Sequence, residues 1–254
     1  ILIWDTKTDA LLHRLEGHRD VVTSINFSAD GKWLASASRD GSIDIWDTST
    51  WQIAEVCHDP YADYYIAFLP DANDFVTWSY DRINTWQRGT DAPIKTCHSN
   101  ERLSAVCALH DGEVITGSEK GTLTVWDPIG GVKTAEFHHP RTGRGRQNAV
   151  FGIAEEPDGN VLVSDVSGIW RWDRTSNKFQ WIAKGVYGVS TPLQNGKYLL
   201  GGNNRQVWVR EADPSGVAVI FRLGFEVHAV AASPTGDVWA YAGRGRWNSY
   251  YVWQ

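Results

Sequence analysis

His18, Ser36 and Asp40 carry the three side chains of a hydrolytic triad. That chemistry needs a serine hydroxyl open to substrate, an imidazole base beside it and a carboxylate that orients the base. The spacing argues for another role. The same types return forty residues on as His58, Thr77 and Asp81, and each group leads to a tryptophan, Trp46 or Trp86, whose indole N–H can complete a closed set of hydrogen bonds. A third group keeps His98, Thr116 and Trp126 but has Lys120 where a carboxylate is expected, and a fourth keeps Ser164 and Trp172. A satisfied buried network explains this recurrence better than a reaction centre does, so no catalytic residue is assigned and the chain is not expected to be an enzyme.

Other chemistry-bearing residues yield to the same argument. Cys57 with His58, and Cys97 with His98, offer ligands that zinc could use if four converged. Their separation equals the repeat and the CxxC spacing of a zinc site is missing, so no metal is expected. The stretch Gly117 to Thr122 has the flavour of a phosphate loop but lacks its spacing and leads into a strand instead of a helix, so no cofactor is expected either. The 14 tryptophans could stack on bases or sugars, yet six of them end strand-like segments and need no ligand to explain them.

The elements behind these residues follow from a period of about forty residues. Segments closing on Trp recur as LIWD, SIDIWD, RINTWQ, TLTVWD, GIWRWD and SYYVWQ, with QVWVRE holding the same place between the last two. Midway between them lie short turns rich in Asp, Asn and Gly, such as Ala29 to Lys32, His110 to Glu113 and Pro157 to Asn160. Each turn joins two alternating apolar runs, which reads as antiparallel strands, and no interval holds a helical pattern. Every unit therefore has strands a and b around the turn, a strand c ending at Trp, and a shorter strand d. Stacking the sheets radially would bury Val, Ile, Leu and Trp between neighbours.

On Gly17 and His18 opening a unit, Asp40 in the turn from b to c, and Trp46 with Asp47 closing strand c, the chain resembles the WD-repeat (WD40) β-propeller family. The resemblance covers the whole chain and is closest over residues 17 to 47. It implies an all-β propeller of four-stranded antiparallel blades in one domain, 1–254. It also implies that His18, Ser36, Asp40 and Trp46, with His58, Thr77, Asp81 and Trp86 and with His98, Thr116 and Trp126, form structural hydrogen-bond sets inside the blades. Seven c strands against six hairpins favour a seven-bladed parent with one blade incomplete over a six-bladed ring.

Composition bounds the partners. A net charge of −6 with both signs dispersed disfavours a polybasic tail or a membrane-surface helix. Three cysteines and the absence of an apolar span point to an intracellular, cytoplasmic place, with the nucleus as an alternative. A chain that opens on Ile1 and holds no Met reads as a piece of a longer polypeptide, with further domains expected beside it.

Strand order puts the d to a and b to c loops on one rim, here the top, and the a to b and c to d turns on the other, the bottom. Acids gather at the bottom turns. Arginines gather in the top loops: Arg141, Arg144, Arg146, Arg205, Arg244 and Arg246, with Arg39 in the first unit. Tyr61 and Tyr80 add aromatic surface near the top of the second unit. The expected function, implied by the resemblance and this charge pattern, is a protein-interaction scaffold that binds an acidic or phosphorylated peptide or protein on its top face. RNA binding through the arginines, and less so an enzyme on a propeller frame, are the alternatives.

Overall fold

The computed structural model describes residues 1–4, 11–59, 65–138, 149–156, 158–165, 167–184, 189–192, 197–202, 206–211, 219–222, 226–232 and 239–244, with side chains described up to residue 182. Every regular element among them is a β-strand. Seven of the described turns are built by the same local chemistry. In the a to b turns a leading aspartate accepts the amide two residues on, as Asp30 does from Lys32 (3.1 Å), Asp71 from Asn73 (3.0 Å), Asp111 from Glu113 (3.0 Å) and Asp158 from Asn160 (3.0 Å). The aspartates that follow the strand-c tryptophans do the same for the c to d turns. Asp47 accepts the Ser49 amide at 2.7 Å, Asp127 that of Ile129 at 3.1 Å and Asp173 that of Thr175 at 2.9 Å.

Folded by these turns, the chain forms successive antiparallel sheets. The first is β1 (Leu2–Trp4) with β2 (Leu11–Arg14). Four strands follow in order: β3 (Val22–Phe27), β4 (Trp33–Ser38), β5 (Ser42–Asp47) and β6 (Gln52–His58). The next sheet holds β7 (Tyr65–Phe68), β8 (Asp74–Ser79), β9 (Arg82–Gln87) and β10 (Lys95–His98). After it come β11 (Leu103–Ala108), β12 (Val114–Ser118), β13 (Thr122–Asp127) and β14 (Val132–His138). The order repeats in β15 (Gly152–Glu155), β16 (Val161–Ser164), β17 (Gly168–Asp173) and β18 (Lys178–Lys184). It repeats again in β19 (Val189–Pro192), β20 (Lys197–Gly202), β21 (Gln206–Glu211) and β22 (Val219–Arg222). The hairpin β23 (Glu226–Ala232) and β24 (Trp239–Arg244) comes last. This is the strand order of propeller blades.

The core lies between sheets, and the strand-c tryptophans mark it. Trp86 is fully buried among Ile43, Ile45 and Cys57 of one sheet and Ile66, Phe68 and Phe75 of the next. Trp126 packs back on Val76, Trp78 and Ile83, and Trp172 on Ile115, Leu123 and Val125. Each ring removes about 150–250 Å² from water, a large share of what a lone sheet could not hide. Side chains also tie neighbouring first strands together: Ser24 accepts the Ile66 amide at 3.2 Å and Asn26 that of Phe68 at 3.0 Å. First strands lie side by side from β3 through β7, β11, β15 and β19 to β23. In addition β23 lies against β3, and β24 against β1.

Candidate functional site

The first expected hydrogen-bond set is complete and closed to substrate. Ser36 is fully buried. Its hydroxyl accepts from the Trp46 indole at 2.9 Å, meets His18 Nε2 at 2.7 Å and lies 3.3 Å from the Asp44 carbonyl. His18 Nδ1 stands 2.8 Å from the Ser42 hydroxyl, which gives its one proton to Asp40 at 2.7 Å, so the imidazole must donate at Nδ1. Asp40 thus joins through Ser42, with its own oxygen 3.4 Å from His18. Burial pushes its carboxyl up. Hydrogen bonds from Ser42 and the Arg19 amide, together with the His18 charge, outweigh that and hold it well below the usual carboxylate range. Asp44, 3.6 Å from His18 Nε2, is shifted the other way, raised by burial against the pull of His18. A hydroxyl so buried has no exposure to a substrate, which nucleophilic attack requires.

The second and third sets reduce to their indole–hydroxyl pairs, Trp86 to Thr77 and Trp126 to Thr116, each 2.9 Å. His58 and His98 are exposed ends of β6 and β10, and Asp81 is exposed as well. The reason is a count. Fourteen residues separate Trp4 from His18, but only twelve separate Trp46 from His58 and Trp86 from His98, so these imidazoles are still in strand d when the chain has yet to turn inward. The inward position goes instead to buried Asp59, which accepts from Asn84 at 2.7 Å. In the fourth unit Trp172 pairs across from Val161. The residue two places on, where Ser36 and Thr77 stand in their units, is therefore Val163 and not Ser164. The Trp172 indole turns to Asn177 at 3.1 Å.

Two of the residues expected to bind a partner come together. Arg39 and Tyr80 line an open top-face cleft of about 280 Å³, together with Tyr65, Trp78, Arg102 and Glu119. The b to c turns of three units place Arg39, Tyr80 and Glu119 there, the d to a loop before β11 places Arg102, and β7 and β8 supply Tyr65 and Trp78. The Arg102 guanidinium carbon lies 4.6 Å from the centre of the Tyr80 ring, and its Nε lies 3.2 Å from Glu119. Tyr65 stacks on buried Trp78 with ring centres 5.1 Å apart. The Tyr80 carbonyl accepts the Leu103 amide, which ties the turn to the next blade. Sequence reading missed Arg102. The rule that d to a and b to c loops share a rim, which singled out Arg39, would have found it.

Arg141, Arg144, Arg146, Arg205, Arg246 and Tyr61 lie outside the described residues, and for Arg244 only the backbone, at the end of β24, is described. The acidic bottom is less one-sided than expected. Arg174 bridges from its c to d turn to Asp111 (3.0 Å) and Glu113 of the preceding unit, and Arg171 holds Asp158 (2.5 Å) and buried Glu156. Much of that acid is therefore spent on turns and on joining blades. Cys57, Cys97 and Cys107 are unpaired, and burial raises all three thiols, those of Cys57 and Cys107 to about 12. Among the described residues no group of three or more His, Cys, Asp or Glu side chains could hold a metal ion, and no helix is long and apolar enough to cross a membrane.

Comparison with known proteins follows the same repeat. Residues 9–47 and 91–127 match the WD domain, G-beta repeat family. The intraflagellar transport protein 122 homolog of Mus musculus is 24% identical over 219 residues, 82% of this chain and 18% of that protein. The target of rapamycin complex subunit wat1 of Schizosaccharomyces pombe is 27% identical over 48% of this chain and 40% of its own length. The guanine nucleotide-binding protein subunit beta of Dictyostelium discoideum is 27% identical over 59% of this chain and 44% of its own. The chain thus spans less than half the length of each of these relatives.

Proposed function

We propose that this chain, which carries WD40 repeats, is a scaffold that receives an acidic or phosphorylated segment of a partner protein on its top face. The observation that carries the reading is the cleft that brings Arg39 and Arg102 together with the exposed rings of Tyr65 and Tyr80. Guanidinium groups suit carboxylate and phosphate oxygens, and tyrosines supply contact area with a polar tip. A binding role, and not an enzymatic one, is supported by the burial of Ser36 in the His18–Ser36–Asp40 arrangement and by relatives whose names include a transport protein, a complex subunit and a guanine nucleotide-binding protein subunit. Three unpaired thiols favour a reducing, intracellular setting.

The reading extends the surface around the rim through Arg141, Arg144, Arg146, Arg205, Arg244 and Arg246, on the basis of strand order. It also takes the ring as six-bladed. The neighbours of β23 and β24 support a last blade made of β23 and β24 from one end of the chain and β1 and β2 from the other, in place of the seven-bladed parent. Cysteines introduced across β24 and β1 should cross-link if so. Further domains of a longer chain would dock or act beside this ring.

The test is an array of short acidic, phosphoserine, neutral and basic peptides probed at two salt concentrations with the parent chain, an Arg39→Ser/Arg102→Ser variant and an Arg144→Ser/Arg146→Ser variant. Retention of acidic and phosphoserine peptides that falls with salt and with either pair of substitutions is expected. Equal retention by all three proteins overturns the reading. Capture of a single-stranded RNA probe in preference to every peptide would favour nucleic-acid binding instead.

A further inference from the structure

Tyr80 occupies a backbone conformation that its side chain does not favour. It is the first residue of the two-residue turn between Ser79 of β8 and Arg82 of β9, with φ at +41°. Hairpins this short that need a positive φ at that place favour Gly, Asn or Asp there. The corresponding turns of the flanking sheets are one residue longer, 39–41 and 119–121, and put their positive φ at the last residue, on Gly41 (φ +85°) and Gly121 (φ +83°). A bulky residue held in the left-handed region is an outlier, and such outliers concentrate at binding sites.

Packing does not account for it. Trp51 is a second aromatic at positive φ, but its ring stacks on His13 and packs against the cluster around Ile3 and Trp46, so burial offsets the strain. The Tyr80 residue is 54% exposed, and the described contact of its ring is the Arg102 guanidinium above it. Glu119 engages Arg102 at Nε, and among the described residues nothing engages its two terminal nitrogens. The guanidinium is therefore held at its ring face and at one edge, with the forked end left over beside Arg39 in the same cleft.

We propose that Tyr80 is a positioning residue. Its strained turn presents the ring as a platform that orients Arg102 for a phosphoryl group on a partner peptide, a chemistry that matches a planar fork of donors. This rests on the anionic-partner reading and assigns the specificity within it to the Tyr80–Arg102 pair.

Binding of a short fluorescein-labelled phosphoserine peptide, and of its Glu and Ser counterparts, is measured by polarisation on the parent chain, Tyr80→Gly, Tyr80→Phe and Arg102→Ser. Tyr80→Gly should keep or raise the thermal midpoint, because it relieves the turn, while weakening phosphoserine binding about three- to fivefold and narrowing its preference over Glu. Tyr80→Phe, which keeps the ring, should bind like the parent. If Arg102→Ser weakens binding and Tyr80→Gly does not, the role of Tyr80 is overturned while the anionic reading stands. If the parent chain binds none of the three peptides, the anionic reading falls and takes this one with it.

Discussion

The sheet β3–β6 and the sheet β15–β18 face one problem, where to send the buried indole N–H that closes the third strand, and they solve it in opposite ways. In the first, Trp46 gives its proton to Ser36, and a chain of hydrogen bonds runs on through His18 and Ser42 to Asp40. In the second the hydroxyl is replaced by Val163. The indole of Trp172 finds Asn177, and rings close around it, Phe137 edge-on at 4.8 Å and Phe179 stacked at 5.6 Å. The fold tolerates either solution because what it requires is the indole between two sheets. The polar network is one way of making that burial inexpensive for the N–H, and aromatic packing with a single amide is another.

Trp172→Ala should cost about 3–5 kcal/mol in urea unfolding, as for any large ring removed from a tight core, and a loss under 1 kcal/mol would mean that packing does not carry the second solution. Next comes Ser36→Ala. It strands an indole N–H and one imidazole nitrogen together in a buried place, so about 2–3 kcal/mol is expected, against about 1 kcal/mol for Thr77→Val, where only the Trp86 indole loses its partner. Equal costs would mean that His18 adds nothing to the set.

Acid sharpens the contrast further. Asp40 is depressed in the folded chain, so its contribution is present above about pH 4 and is lost as pH falls towards its folded value. Asp40→Asn should flatten the acid limb of stability measured between pH 3 and 7, and an unchanged limb would show that the carboxylate is a bystander. The smallest effects belong to His58→Ala and His98→Ala, within about 0.5 kcal/mol, since both rings stand in solvent. A loss of 2 kcal/mol at either would restore them to a buried set.

Much of this was legible in the chain. Asp30, Asp71, Asp111 and Asp158 announce their turns because an aspartate that bonds the amide two residues on is local chemistry, independent of what lies across the molecule. Trp46, Trp86 and Trp126 announce the core because a strand that ends in a large indole at every repeat has to bury it. The membership of the hydrogen-bond sets was not legible from a forty-residue count alone. That count is the same for His18, His58 and His98, while the distance from the preceding tryptophan differs by two residues and decides whether the imidazole points inward. In the same way Ser164 and Val163 are adjacent in sequence, and only pairing with β17 shows which one faces Trp172. Within the cleft, Arg39 and Tyr80 were readable from loop order, but the stacking of Arg102 on Tyr80 joins loops of two different blades.

By itself the sequence determined the repeat, the strands, the turns and the residues buried between sheets, because hydrophobic periodicity and turn chemistry act over a few neighbours. Only the tertiary structure decided which side chains meet. It put Arg174 across from Asp111 and Glu113, Arg102 over Tyr80, and β23 beside β3. Those contacts depend on the register of strands and the stacking of whole sheets, and a shift of one residue in either would give each side chain a different partner.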